Sequence, residues 1–177
     1  MGKGDSLTTL RKKGENLLNQ RIMLGDTSGK VRSVKERDVF ALASKTFEFT
    51  LLFEASEKKK VFQKIKKKNK SYGDLRCYQI MHAVRLYYAL KEYLNAKVPS
   101  FYICPEGFEV RWIKYYLKQF LGSLYHDKKI NIPKEGLTPM FTQRHIAHVL
   151  AGELRAKKGR KPTRELKEIH FKKLGII

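Results

Sequence analysis

The sequence predicts an α/β fold around a mixed five-stranded sheet, and three observations carry that reading. Three strand-like segments follow one another early in the chain, two helical stretches come next, and two later strand-like segments each lead towards a further helical stretch. The element order is βββααβαβα. Strands joined by short turns pair antiparallel, whereas strands separated by a helix need a crossover and pair parallel. An antiparallel meander on one side of the sheet and parallel strands on the other are therefore expected.

Each element has its own local reason. Residues 1–19 are polar and basic and form an N-terminal arm, with a short helix over Leu7–Leu18 that would need tertiary contacts to persist. The run RIML from Arg21 reads as the first strand, closed by GDTSGK, whose Asp, Thr, Ser and Gly are turn formers. VFALA (39–43) and FEFTLLF (47–53) are rich in β-branched and aromatic residues and read as strands two and three. In EASEKKKVFQKIKKKNK, Val61, Phe62 and Ile65 recur at helical spacing beneath a basic outer face.

After the break at SYGD, Asp74 is placed to cap a long, largely buried helix reaching about Asn95, with Tyr78, Met81, Val84, Tyr87 and Tyr88 on a broad apolar surface. VPSFYIC (98–104) is the fourth strand. PEGF follows it, and then Val110, Ile113, Leu117, Phe120 and Leu121 at helix period. KINI (129–132) is the fifth strand, and a last helix begins after Thr138-Pro139 or at Thr142 and runs to about Lys158. The domain thus spans 20–158, and 159–177 is a basic C-terminal tail. Trp112, Tyr115 and Tyr116 sit at core-like helical spacing and are read as packing rather than as platforms for bases.

Composition bounds the function. With 42% hydrophobic residues the chain can build a core, so its charge decorates a folded body. Thirty-eight Lys and Arg face seventeen Asp and Glu, a net charge of +21, which suits a polyanionic partner, DNA or RNA, better than an anionic membrane surface. The chain shows neither a membrane-spanning apolar run nor a signal-peptide-like start, so an intracellular protein, cytoplasmic or nucleoid-associated, is expected. Cys77 and Cys104 lack metal-finger spacing and read as small core residues. Walker, G-x-G-x-x-G and nucleophile-elbow motifs are all missing, which argues against P-loop, dinucleotide and serine-hydrolase chemistry.

In a sheet of this kind, residues just past the carboxyl ends of neighbouring parallel strands converge on one crevice. Asp26 and Glu106 occupy such ends, and two carboxylates suit a hard cation such as Mg²⁺. A third ligand would come from RHIAHVLAGELR, where His145 and His148 lie three apart on one helix face. The bland readings stand beside these: Asp26 as a turn residue, Glu106 complementing a helix dipole, and the histidines as solvent-facing groups.

RIMLGDTSG, FYICPEGF and HIAHVLAGEL, in this strand order, resemble the ribonuclease H-like nuclease superfamily over roughly residues 20–155. They are similar to its branch whose first strand ends in Asp-Glu-Ser-Gly, and to Holliday junction resolvases of the RuvC type. The resemblance implies a ribonuclease H-like fold and metal-dependent phosphodiester hydrolysis with Mg²⁺ or Mn²⁺. It makes Asp26 and Glu106 ligands, with His145 and His148 as the final-helix pair, and gives Asp26, Glu106 and His148 catalytic roles. Two positions depart from the family pattern: Thr27 stands where a Glu is expected and His148 where an Asp is usual. Imidazole suits Mn²⁺ or Zn²⁺ better than Mg²⁺, so the change alters the metal or marks lost catalysis.

The basic segments complete the picture. Lys58, Lys59, Lys60, Lys64, Lys66, Lys67, Lys68 and Lys70 have almost no acidic residues within their own segment, so phosphate contact competes with simple solvation as their role. Lys157, Lys158, Arg160, Lys161 and Arg164 repeat the theme. Such contacts position a nucleic acid through its backbone without reading its sequence. If the metal chemistry is absent, what remains is a non-catalytic basic RNA- or DNA-binding module of a nucleoprotein assembly.

Overall fold

A computed structural model of the chain describes residues 23–44, 47–91, 93–94, 100–126, 129–133, 146–156 and 161–177. The proposed N-terminal arm, His145, Lys157, Lys158 and Arg160 lie outside them. The described strands are β1 (Met23–Ser28), β2 (Asp38–Ala43), β3 (Glu48–Phe53), β4 (Phe101–Ile103), β5 (Ile130–Asn131) and β6 (Arg164–Glu165). The helices are α1 (Ala55–Lys68), α2 (Asp74–Leu90), α3 (Val110–Leu121), α4 (Ile146–Arg155) and α5 (Glu168–Lys173).

The strands form one mixed sheet in the order β5-β4-β1-β2-β3-β6. β1, β2 and β3 make the antiparallel meander, with Asp26 opposite Ala41 and Phe40 opposite Leu51. β4 joins β1 in parallel, Gly25 opposite Ile103, and β5 extends that side in parallel. The sheet has six strands rather than the five expected. The sixth comes from the presumed tail: β6 pairs in parallel with β3, Leu166 and Phe171 are buried, and Phe171 stacks on Phe53 at 5.6 Å. A basic segment that still carries spaced apolar residues can dock, and this one does.

Two boundaries also move. GDTS is not a turn but the second half of β1, because those residues have partners in β2. The reversal falls at Gly29, whose φ of 117° and 2.9 Å approach of an added Cβ to the Arg37 carbonyl both require glycine. The cap of α2 is Gly73; Asp74 sits in its first turn and pairs with Lys66 at 2.9 Å.

Period-two alternation splits the sheet residues between two faces. One face presents Phe40, Leu42, Phe49, Leu51, Phe53, Phe101 and Ile103 to a thick core that α2, buried on nearly every side, fills together with α1, α3 and α5. Among the described residues, the opposite face presents Leu24, Val39, Ala41, Ala43 and Leu52 to α4, through Ala147, Leu150, Ala151 and Leu154. The alanines on both sides let α4 lie close to β1 and β2. Its C-terminal end is fixed by ionic contacts: the Arg37 guanidinium donates to the Arg155 carbonyl, and Arg155 pairs with Glu36 at 2.9 Å.

Inside the thick core lies a buried ionic cluster. Asp38 is flanked by Lys58 Nζ at 2.7 Å and Arg85 Nη2 at 2.7 Å, with all three side chains essentially inaccessible. Lys58 also donates to the Lys30 and Glu36 carbonyls. Arg85 Nη1 lies 3.2 Å from His82 Nδ1. Burial, then the Arg85 charge, holds the His82 imidazole well below its ordinary value, so it is neutral and Nδ1 accepts the guanidinium proton. Lys58 is thus a structural cation and not a nucleic-acid contact, as the lysine block had led us to expect. Its position on one helix face with Val61 and Ile65 explains the burial.

Candidate metal centre

The strand alternation that separates the two cores also aims the site. Asp26 shares parity with Leu24 and faces α4, at 7% exposure. Leu24 lies opposite Tyr102, so Cys104, two residues beyond Tyr102, continues on the same side. The Cys104 N–H donates to the Gly25 carbonyl at 2.9 Å and ends the ladder between the two strands. The chain then turns through Pro105 and Glu106.

Glu106 has φ of 54°, a left-handed backbone that a non-glycine residue adopts at a cost of roughly 1–2 kcal/mol. The turn sends its carboxylate back towards β1. Thr27 N–H, with no β4 backbone opposite it, donates to Glu106 Oε1 at 3.0 Å and to Asp26 Oδ1 at 2.9 Å. From α4, His148 Nδ1 lies 2.8 Å from Asp26 Oδ2, and its ring is half exposed. Asp26, Cys104 and Glu106 each offer a ligand atom, and those atoms lie within 4.8 Å of one another. Three chain segments meet here.

Gly25 makes the junction possible. A Cβ there would lie 2.7 Å from Ile103 and 2.8 Å from the Phe40 ring, so β1, β4 and β2 could not keep their present separation with a side chain at this position.

The electrostatics are those of crowded carboxylates. Burial, then the Asp26 charge and hydrogen bond, push the Glu106 carboxyl up to about 8, against the opposing Thr27 N–H and the Arg85 charge. Near neutrality the pair therefore holds a proton between its two carboxylates, and a divalent cation could take that proton's place. The chemistry of the donors fits such an ion: two carboxylates suit Mg²⁺ or Mn²⁺, while His148 lies outside the three-donor group and contacts it through Asp26. Burial, followed by the Glu106 charge, holds the Cys104 thiol well above its ordinary value, so it is protonated.

Asp26, Glu106 and His148 are thus brought together. Cys104 and Arg85 were missed. Cys104 could have been found from the period-two spacing of Tyr102 and Cys104 ahead of Glu106; no sequence signal marks Arg85.

The basic residues fare unevenly. Lys60 pairs with Glu57 at 2.9 Å, Lys64 with Glu168 at 2.6 Å and Lys66 with Asp74 at 2.9 Å. Lys68 donates to the Gly175 carbonyl. The acidic partners absent from the lysine run come from its flanks and from α5. Lys59, Lys67 and Lys70 are exposed and make no ion pair with any described residue, Lys161 is exposed, and Arg164 is half-buried within β6.

Compared with family models, with curated proteins and with solved structures, the chain matches none.

Proposed function

We propose that this is a ribonuclease H-like, nucleic-acid-binding protein that hydrolyses phosphodiesters at the Asp26–Glu106 centre. One observation carries the reading: two carboxylates eighty positions apart meet at the carboxyl ends of adjacent parallel strands, with a histidine from α4 on the first of them. The arrangement of β5, β4, β1, β2 and β3, with β2 antiparallel to its neighbours, supports the ribonuclease H-like reading.

Asp26 and Glu106 would hold Mg²⁺ or Mn²⁺, which when bound polarises the phosphate and lowers the proton affinity of an attacking water. His148 fixes the Asp26 carboxylate in orientation, and its half-exposed ring can carry a proton to or from solvent. Thr27 N–H orients the Glu106 carboxylate. Lys59, Lys67 and Lys70 meet the phosphate backbone without reading bases.

The test is cleavage of branched DNA, an RNA–DNA hybrid and structured RNA with Mg²⁺ and with Mn²⁺, by wild type and Asp26→Asn. Divalent-dependent cleavage lost in the variant is expected. If all substrates stay intact with both metals while salt-sensitive binding persists in both proteins, the chain is the non-catalytic basic module, a reading favoured by the lysines that form no ion pair with any described residue.

A further inference from the structure

Cys104 is the one donor at the centre that phosphodiester hydrolysis by a hard cation does not call for. Its Sγ shares a 4.8 Å neighbourhood with carboxylate oxygens of Asp26 and Glu106. Strand parity and the Cys104 N–H bond to Gly25 fix it on the side facing α4. His148 Nδ1 lies 2.8 Å from Asp26 Oδ2 but outside this three-donor group. Two carboxylates and a thiol form a mixed donor set that a borderline-soft ion accepts. With bonds of roughly 2.0–2.3 Å, ligand atoms in such a site lie about 3.3–3.8 Å apart, so side-chain adjustments of about an ångström would close it.

We infer that the centre is a site for a thiophilic divalent cation, Zn²⁺ foremost, held by Asp26, Glu106 and Cys104, with His148 orienting the Asp26 carboxylate from outside the donor set. This inference rests on the reading of Asp26 and Glu106 as metal ligands. Binding is a proton exchange: the metal–sulfur bond forms as the thiol S–H breaks, the carboxylate bonds form as Glu106 gives up its proton, both protons pass to solvent, and no electron is transferred. Three protein ligands leave a tetrahedral ion one position for water. Zn²⁺ competes with Mn²⁺ for the centre.

The test uses the full chain and the metals alone. Co²⁺ and Cd²⁺, as spectroscopic stand-ins for Zn²⁺, should give an intense thiolate-to-metal charge-transfer band in the ultraviolet. The band should persist in Cys77→Ala and vanish in Cys104→Ser and Cys104→Ala. Zn²⁺ affinity by calorimetry should fall by at least about 100-fold in Cys104→Ser, since loss of an outer-shell partner already costs about 10–100-fold and Cys104 is a direct ligand, with Mn²⁺ affinity unchanged. A Co²⁺ complex of wild type without the band, or equal Zn²⁺ affinity in wild type and folded Cys104→Ser, overturns the inference. The wild-type spectrum decides even if the variants fail to fold. Cleavage with Mn²⁺ alongside a missing band leaves the nuclease standing and removes the zinc site. A Cys104-dependent band without cleavage does the reverse.

Discussion

Two buried aspartates, twelve residues apart, have opposite surroundings. Asp38 sits in the thick core between Lys58 and Arg85, with positive charge on both sides and an ion-pair distance of 2.7 Å to each. Asp26 sits on the thin face beside a second carboxylate, a thiol and one imidazole. The first is compensated by the protein itself and needs nothing further. The second faces another carboxylate, and burial followed by the Asp26 charge leaves Glu106 holding a proton. A buried carboxylate supplied with cations by its own chain reads as structure; one facing another carboxylate reads as a place for a proton or a metal.

The comparison can be broken most directly at Asp38. Asp38→Ala strands two buried cations and should cost about 3–5 kcal/mol in denaturant unfolding. An Asp26→Asn variant in metal-free buffer should unfold much closer to wild type. Equal losses would show that both aspartates are structural.

A second probe is the pH dependence of Mn²⁺ binding. The ion must displace the proton on Glu106, so affinity should rise about tenfold per pH unit towards about 8 and then level off, roughly 50-fold between about pH 6 and pH 8. Calorimetry in a series of buffers measures it. A flat profile would mean that Glu106 is no ligand.

Without metal, the same proton acts on stability in the opposite sense. Glu106 in the folded protein titrates near 8 against an ordinary value of 4.5, so the folded state binds more protons across that window. Its contribution is complete below about 4.5 and is lost as pH rises through 8, at up to about 1.4 kcal/mol per unit. Glu106→Gln should remove this slope. The difference between variant and wild type isolates it, because His82, buried and neutral, acts in both proteins and favours the folded state as pH rises.

The smallest effect is expected from the exposed lysines that form no ion pair with any described residue. Lys67→Gln and Lys70→Gln should each lower the slope of log affinity for nucleic acid against log salt by about 1. Lys60→Gln and Lys64→Gln, already paired with Glu57 and Glu168, should do less. Equal slopes for all four would place the contact surface elsewhere.

Much of this architecture was legible because it follows from local periodicity. The alternation in FEFTLLF and the spacing of Val110, Ile113 and Leu117 place β3 and α3 within a residue or two of where they stand. GDTSG misled because its residues favour turns in isolation, while pairing with β2 holds them extended. Lys58 misled because charge counts along a segment ignore which side of the helix each residue occupies. The C-terminal segment misled because net charge outweighed Leu166 and Phe171 in the reading.

The sequence by itself determined the order of strands and helices up to α4, the net basic charge and the residue types available for chemistry, since these depend on composition and on neighbours a few positions away. Only the tertiary structure decided which acidic residues meet cations and which meet each other. That outcome turns on contacts between segments tens of residues apart, at a strand junction that closes only because Gly25 carries no side chain.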